Sequence, residues 1–271
     1  MTQVAGAQRI QQASQEPAPR PAGWPTLVYA ASVYLLFVAV LCYAVGFFAD
    51  IAVPKGIDGG PGGPAPVAAA VDVLLLSLFA TQHTVMARPW FKRGWSRLLP
   101  VAAERATFVL CSTLALALLF WLWRPIGGPV WQVAGRAAWP LRVSYAAGWL
   151  IAIGSTFLIS HLDLFGVRQA YPPARGRAYC PPSFVERGLY RLIRHPLMAG
   201  FVIIFWAAPD MTTGHLLLAA VATAYILVGI RFEEHDLSRE LGEPYQEYRA
   251  RVPALVPGLP HRARNGRGLR T

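Results

Sequence analysis

The chain has 271 residues, 55% of them apolar and only 14% charged, with a formal net charge of +11. Soluble domains carry about 25% charged residues, and here the apolar residues come in blocks, which excludes an ordinary soluble domain and defines an integral membrane protein. The arginines flank those blocks instead of lining a soluble face, so the basic balance fits an anionic lipid surface and a topology signal, not nucleic acid.

Residues 1–25 are polar and rich in Ala, Gln and Pro. They read as a disordered tail, not a cleaved signal peptide, because the apolar run behind them starts late and is long. That first block, 27–48, is long enough to cross a bilayer. A linker dense in Gly and Pro follows from Asp50 to Pro66; it lacks the Lys-Ser/Thr ending of a phosphate loop. The second block, 67–86, contains Asp72 and ends in Thr81-Gln-His-Thr84. Asp72 and His83 share a helical face but stand roughly 16 Å apart by helix rise. A basic, aromatic loop comes next, Arg88-Pro-Trp-Phe-Lys-Arg-Gly-Trp95. The third block, 106–123, ends in Trp121 and Trp123, as interfacial anchors do. The fourth is 143–160, and a long polar loop then runs from His161 to His195.

The last apolar stretch is a hairpin. Its arms, 197–208 and 215–230, are separated by Pro209-Asp-Met-Thr-Thr-Gly214. Both arms are short for a full crossing, so they are expected to be surrounded by the other helices or extended by their flanks. These segments predict an all-α polytopic membrane bundle, with five long apolar segments, the last folded as a helix-turn-helix hairpin, and five to six crossings. Three loops or tails rich in Lys and Arg put the N-terminus, the long loop and the C-terminus in the cytoplasm; the loop 124–142, with Arg124, Arg136 and Arg142, is the exception. The expected organisation is a tail at 1–25, a membrane domain at 26–258 and a basic tail at 259–271.

Cys42, Cys111 and Cys180 form no C-x-x-C pair, and no disulfide framework or metal site is implied. Nucleotide-loop, nucleophile-elbow and zinc-protease motifs are absent from the sequence. What remains is two ionisable clusters joined by the hairpin. Arg194-His195-Pro196 opens one arm, and Pro suits the first position of a helix. The pair reads either as cations reaching for headgroups or as an anion site at a helix start. Glu233-Glu234 closes the other arm. Carboxylates at a helix C-terminal end oppose its dipole, so they need partners: Arg194, His195, Arg231 or a cationic ligand. A hairpin brings both clusters to one membrane face. His83 either bonds a neighbouring helix or belongs to the site; His161 and His215 read as interfacial.

Gly188-Leu-Tyr190, His195-Pro196 with Gly200, Glu233-Glu234, and Gly242-Glu-x-Tyr245-x2-Tyr248-x3-Val252-Pro253 together resemble the isoprenylcysteine carboxyl methyltransferase superfamily, whose members are integral membrane enzymes using S-adenosylmethionine. Upstream, Thr81-Gln-His-Thr-Val-Met-Ala-Arg-Pro-Trp90, Trp121-x-Trp-Arg-Pro-Ile126 and the stretch from His161 to Tyr171 resemble a narrower branch, that of the NnrU-like proteins and the bacterial methanethiol S-methyltransferases. The resemblance implies a cofactor site built by 179–200 and 231–253. It assigns cofactor contacts to Phe184, Val185, Tyr190, His195, Pro196, Met198 and Glu233. The superfamily often has Tyr where Met198 stands. Arg194 suits the cofactor's carboxylate and Glu234 its ammonium or ribose, and Tyr245 and Tyr248 of the closing motif join this set. The superfamily's substrate-binding Arg on the last helix is not matched, which argues against a prenylcysteine acceptor.

The resemblance implies an inner-membrane enzyme that methylates a small thiol, methanethiol to dimethyl sulfide. His83 is its candidate base, and Gln82, His83, Met86 and Trp90 its candidate substrate pocket. Two alternatives stand beside it: a non-enzymatic NnrU-like protein of nitrogen-oxide metabolism, and a sterol-reductase-like NADPH enzyme.

Overall fold

The computed structural model describes residues 23–95, 97–181 and 186–258. Its helices, in chain order, are α1 (Trp24–Ala49), α2 (Ala65–Ala87), the short α3 (Pro89–Trp95), α4 (Val101–Leu122), α5 (Trp139–Ile159), the short α6 (His161–Leu164) and α7 (Val167–Ala174), α8 (Pro196–Trp206), α9 (Thr213–Leu241) and α10 (Glu243–Arg251). Proline occupies one of the first two positions of α1, α2, α5, α8 and α10, where its missing N–H has no helical partner to lose. Five helices are long and apolar enough to cross a membrane: α1, α2, α4, α5 and α9. They are apolar on their outward faces too, with Leu35, Leu74 and Leu150 at 67%, 69% and 75% exposure. Water would not tolerate that surface; lipid favours it. Exposed tryptophans mark both ends of the bundle, Trp24 and Trp90 at one and Trp121 and Trp139 at the other.

The hairpin arms are unequal. α9 is carried by its polar flank to 29 residues, whereas α8 has 11 and cannot cross alone. Small residues hold α8 inside the protein: a Cβ on Gly200 would lie 2.7 Å from Ala152 N and Gly148 O, and one on Gly148 2.9 Å from Ile204. The backbones of α5 and α8 therefore touch. Beyond α8 the chain is extended, and two short strands pair antiparallel, β1 (Pro129–Gln132) with β2 (Asp210–Thr212), Trp131 opposite Met211. The hydropathy blocks give no sign of this ribbon. It fixes the hairpin turn to the segment after α4, helped by Trp131 Nε1 donating to Ala208 O at 3.0 Å.

The core is aromatic, with Phe47, Phe120 and Trp123 packed beside Ile204 and Leu218. At the ribbon end, buried Asp72 accepts from Arg124 N at 2.9 Å, and Trp123 Nε1 donates to Ile57 O at 3.0 Å. Asp72 thus ties α2 to the chain just beyond α4, a structural reason for a carboxylate in an apolar block. The opposite end gathers the starts of α1 and α4, the ends of α2 and α9, and α10. Tyr29 of α1 bonds Thr107 of α4 at 2.9 Å there, so both ends of the described chain share one face. The expected tails, apart from residues 23–25, lie outside the described residues, and α1 already begins at Trp24.

Candidate active site

The chain reaches the site through a 3-10 turn, Gly188–Arg191, and leaves it as α8. Between them, Arg194 N donates to Pro253 O at 2.9 Å and His195 N to Ala254 O at 3.1 Å. The closing Val252-Pro253 motif is therefore clamped on the start of α8. The Arg194 side chain completes the clamp. Its Nε donates to Glu234 Oε1 at 2.8 Å and Nη2 reaches the same oxygen; Nη1 donates to Arg249 O at 3.1 Å and to Val252 O. Arg194 and Glu234 are 4% and 6% exposed. The guanidinium is spent on its ion pair and on the last carbonyls of α10, which also suits the dipole of that helix.

Glu234 has further neighbours, His195 Nε2 at 3.2 Å and Arg249 Nε at 3.2 Å. Its neighbour Glu233 differs. That side chain is 46% exposed, and its Oε2 lies 3.6 Å from His195 Nδ1. Of the two expected carboxylates, one is internal structure and the other faces open space. Tyr245 and Tyr248 are buried with Val252 against Leu237 and Leu241, and Tyr248 OH donates to Tyr190 O at 2.6 Å. Burial pushes the phenols of Tyr190 and Tyr245 up to about 12, and that of Tyr248 further up. Pro196 is buried and Met198 half-buried on the first turn of α8. Phe184 and Val185 lie outside the described residues.

A second wall comes from α2 and α4. His83 Nδ1 bonds Ser112 Oγ at 3.2 Å, and its ring lies between Phe79 and Phe108, at 5.5 and 4.9 Å. Gln82 Nε2 donates to Ser112 Oγ at 3.3 Å and approaches Met86 Sδ at 3.1 Å, while Gln82 Oε1 is buried without a partner among the described residues. Thr84 bonds Tyr225 at 3.2 Å and Arg88 pairs with Asp236 at 3.1 Å, so α2 lies along α9 and both walls belong to one end of the bundle. A narrow cleft with about 10 Å³ of internal space opens there, lined by Met86, Phe91, Lys92, Trp95, Glu104, Arg105 and Phe108. Of the expected substrate-pocket residues only Met86 is among these; Gln82 and His83 stand behind it, and Trp90 stays 58% exposed with its ring edge-on to Phe91. A larger open groove of about 520 Å³ beside Tyr29 and Leu98 has no charged side chain, so the narrower cleft is the chemically equipped one.

Three contributors escaped the sequence reading. Ser112 joins Gln82 to His83, and Phe108 and Arg105 line the cavity. In sequence Arg105 lies just before the third apolar block, where it reads as a membrane-flanking charge. Its Nε donates to Leu164 O at 2.8 Å. The turn that presents this carbonyl needs Gly166, at φ 84°, whose Cβ would meet Ala106 N at 2.6 Å. His161 and His215 are structural: the first is shared between Tyr34 and Thr156, and the second bonds Phe205 O at 3.1 Å.

Fold and site together define a multi-pass membrane helical bundle with an ionisable, cavity-lined centre at one end. No protein-family model matches the chain. It is 54% identical over 233 residues to methanethiol S-methyltransferase 2 of Bradyrhizobium diazoefficiens, covering 86% of this chain and 90% of that one. It is 47% identical over 241 residues to the methanethiol S-methyltransferase of Mycobacterium tuberculosis, covering 88% and 97%. Nurim of Xenopus laevis is a more distant relative, 26% identical over 239 residues and covering 76% of this chain and 83% of its own. The chain belongs to the methanethiol S-methyltransferase family.

Proposed function

We propose that the protein is an S-adenosylmethionine-dependent thiol S-methyltransferase, converting methanethiol to dimethyl sulfide at the cytoplasmic face of a bacterial inner membrane. The observation that carries this reading is that two polar groups share one end of the bundle, His195 with Glu233 and His83 with Ser112, and that Glu233 is within electrostatic range of Arg105 on the second wall. Relatives at 54% and 47% identity, named for this reaction, support it. The membrane domain is 26–258, with the donor site in 179–200 and 231–253.

The residues fit this donor. Glu233, half exposed, suits its ammonium or ribose hydroxyls. His195 suits its carboxylate, and Tyr190, Pro196 and Met198, with Phe184 and Val185 before them, complete the pocket wall. Arg194, Glu234, Tyr245 and Tyr248 act from behind, because their polar atoms or rings are already engaged inside the protein: they hold His195 and Glu233 in place. When bound, S-adenosylmethionine supplies an electrophilic methyl group on a sulfonium. The protein's own task is to seat a thiol in line with it, exclude water and take a proton. When His83 Nδ1–H donates to Ser112 Oγ, Nε2 carries the lone pair that accepts the thiol proton. Met86, Phe91 and Trp95 crowd this cleft, which leaves no room for a prenyl chain and favours the smallest thiols.

Purified full-length protein in lipid discs, given methyl-labelled donor and a panel of thiols, tests the reading. The expected result is labelled dimethyl sulfide from methanethiol, turnover of other short alkyl thiols, and little or none of a farnesylated cysteine. Preference for the prenylcysteine, or binding of NADPH in place of S-adenosylhomocysteine, would overturn it.

A further inference from the structure

At this end of the bundle, Arg105 is arranged unlike Arg194, Arg88 and Arg249. Arg194 has every nitrogen engaged by protein, and Arg88 and Arg249 stand beside carboxylates. Arg105 makes one hydrogen bond, to the uncharged carbonyl of Leu164, and among the described residues no carboxylate lies within ion-pair distance of it. Its guanidinium is laid over the Phe108 ring, 5.1 Å from the centroid, and it lines the cavity with Met86, Phe91 and Trp95. His83 packs on that same Phe108 ring at 4.9 Å. A fixed cation and a proton acceptor therefore stand on one aromatic platform beside one small cavity.

Three carboxylates lie within electrostatic range of it, each engaged with another group. Glu104 is drawn toward Lys92 at 4.0 Å, Asp163 accepts from Tyr179 OH at 2.7 Å, and Glu233 faces His195. All of these and His83 are within electrostatic range of Arg105, but none is in contact with it. A cation at the edge of an apolar helix with no ion-pair partner suits an anion, and the anion that thiol methylation creates is the thiolate.

We infer that Arg105 holds the acceptor thiol as its thiolate in this cavity, and so decides which thiols react near neutral pH. The inference rests on the thiol methyltransferase reading. The S–H bond breaks and its proton passes to His83 or to solvent. The thiolate pair then forms the new C–S bond as the donor's sulfonium C–S bond breaks, and that electron pair stays on the donor's sulfur. A neighbouring cation lowers a thiol's pKa, so the gain is largest for weakly acidic alkyl thiols.

The test adds methanethiol to full-length protein loaded with S-adenosylhomocysteine and follows thiolate absorbance in the ultraviolet against pH. In the wild type, thiolate is expected at least about one pH unit below free methanethiol. Arg105→Gln is expected to lose that shift and Arg105→Lys to keep part of it, both still binding S-adenosylhomocysteine as folded proteins do. In turnover, Arg105→Gln is expected to lose at least about tenfold more with methanethiol than with the more acidic trifluoroethanethiol. Three results would each overturn the inference: a wild-type thiol titrating at its solution pKa, equal losses for the two thiols, or weakened S-adenosylhomocysteine binding in Arg105→Gln with the titration unchanged, which would make Arg105 a donor ligand. A wild type that methylates no thiol refutes the functional reading itself, and this inference with it.

Discussion

Glu233 and Glu234 are adjacent in the chain and opposite in role. Glu234 is buried against Arg194, so removing either partner strands a charge in the interior, at a cost of about 3–5 kcal/mol. Arg194→Met and Glu234→Gln are therefore expected to lower the melting temperature in detergent sharply. Glu233 is half exposed, and among the described residues its one ion-pair neighbour is His195. Glu233→Gln is expected to leave the melting temperature nearly unchanged and to weaken S-adenosylhomocysteine by roughly 1.5–3 kcal/mol, read by calorimetry. The reverse pattern, a Glu233 variant with a lowered melting temperature and a stable Arg194 variant with lost binding, would exchange the two roles. His83→Ala is expected to cut the maximal rate by about 10²–10⁴-fold while donor affinity holds; an unchanged rate with saturating thiol removes it from the mechanism.

At the scale of elements, the site depends on a short helix held by backbone contact. α8 starts just after His195, and its seat on α5 is the Gly148–Gly200 crossing. Gly200→Leu has no room, since the atoms it meets are backbone, whereas Gly154 on the same α5 has open space around it. Gly200→Leu is expected to abolish S-adenosylhomocysteine binding and cut the folded yield, with Gly154→Leu close to wild type; equal tolerance of both would mean the crossing is not what positions His195. The corner of α9 and α10 gives a pH dependence. The phenols of Tyr190 and Tyr245 ionise at about 12 in the folded protein, raised by burial, and that of Tyr248 higher still, against 10.0 ordinarily. The native state thus keeps protons that the unfolded chain releases, so stability falls as pH rises from about 10 to about 12. Spectrophotometric titration is expected to find these phenols protonated at about pH 11, with trypsin sites in α10 opening as they ionise. Ionisation near 10 with α10 still protected would contradict the buried corner.

For the whole molecule, the even return of the chain puts the start of α1 and the end of α10 at one end, with the site, and the β1–β2 ribbon at the other. The basic loops 88–105 and 161–195 share the site end, and a water-soluble donor has to reach it from the cytoplasm. Cys180, exposed in that long loop, is a natural reporter. A membrane-impermeant maleimide is expected to label it in inverted vesicles and not in intact cells, and a cysteine placed at Gly62 the other way round. Labelling of Cys180 from outside would invert the orientation.

Segment length and hydropathy were enough to identify a membrane bundle, because a block of apolar residues long enough to cross lipid has few other uses. Motif order was enough to bring Arg194, His195, Glu233 and Glu234 to one face, since a hairpin must return its ends together. Sequence alone did not divide labour among them. Which carboxylate is buried depends on rotation about α9, and whether Arg194 is free depends on where the carbonyls of α10 fall. Nor did it reveal Arg105, Phe108 and Ser112, which meet His83 only because α2 and α4 pack side by side. The short, enclosed α8 was legible from the length of its apolar arm, but the ribbon was not, because it exists through contacts between distant segments, which a linear pattern of hydropathy does not encode.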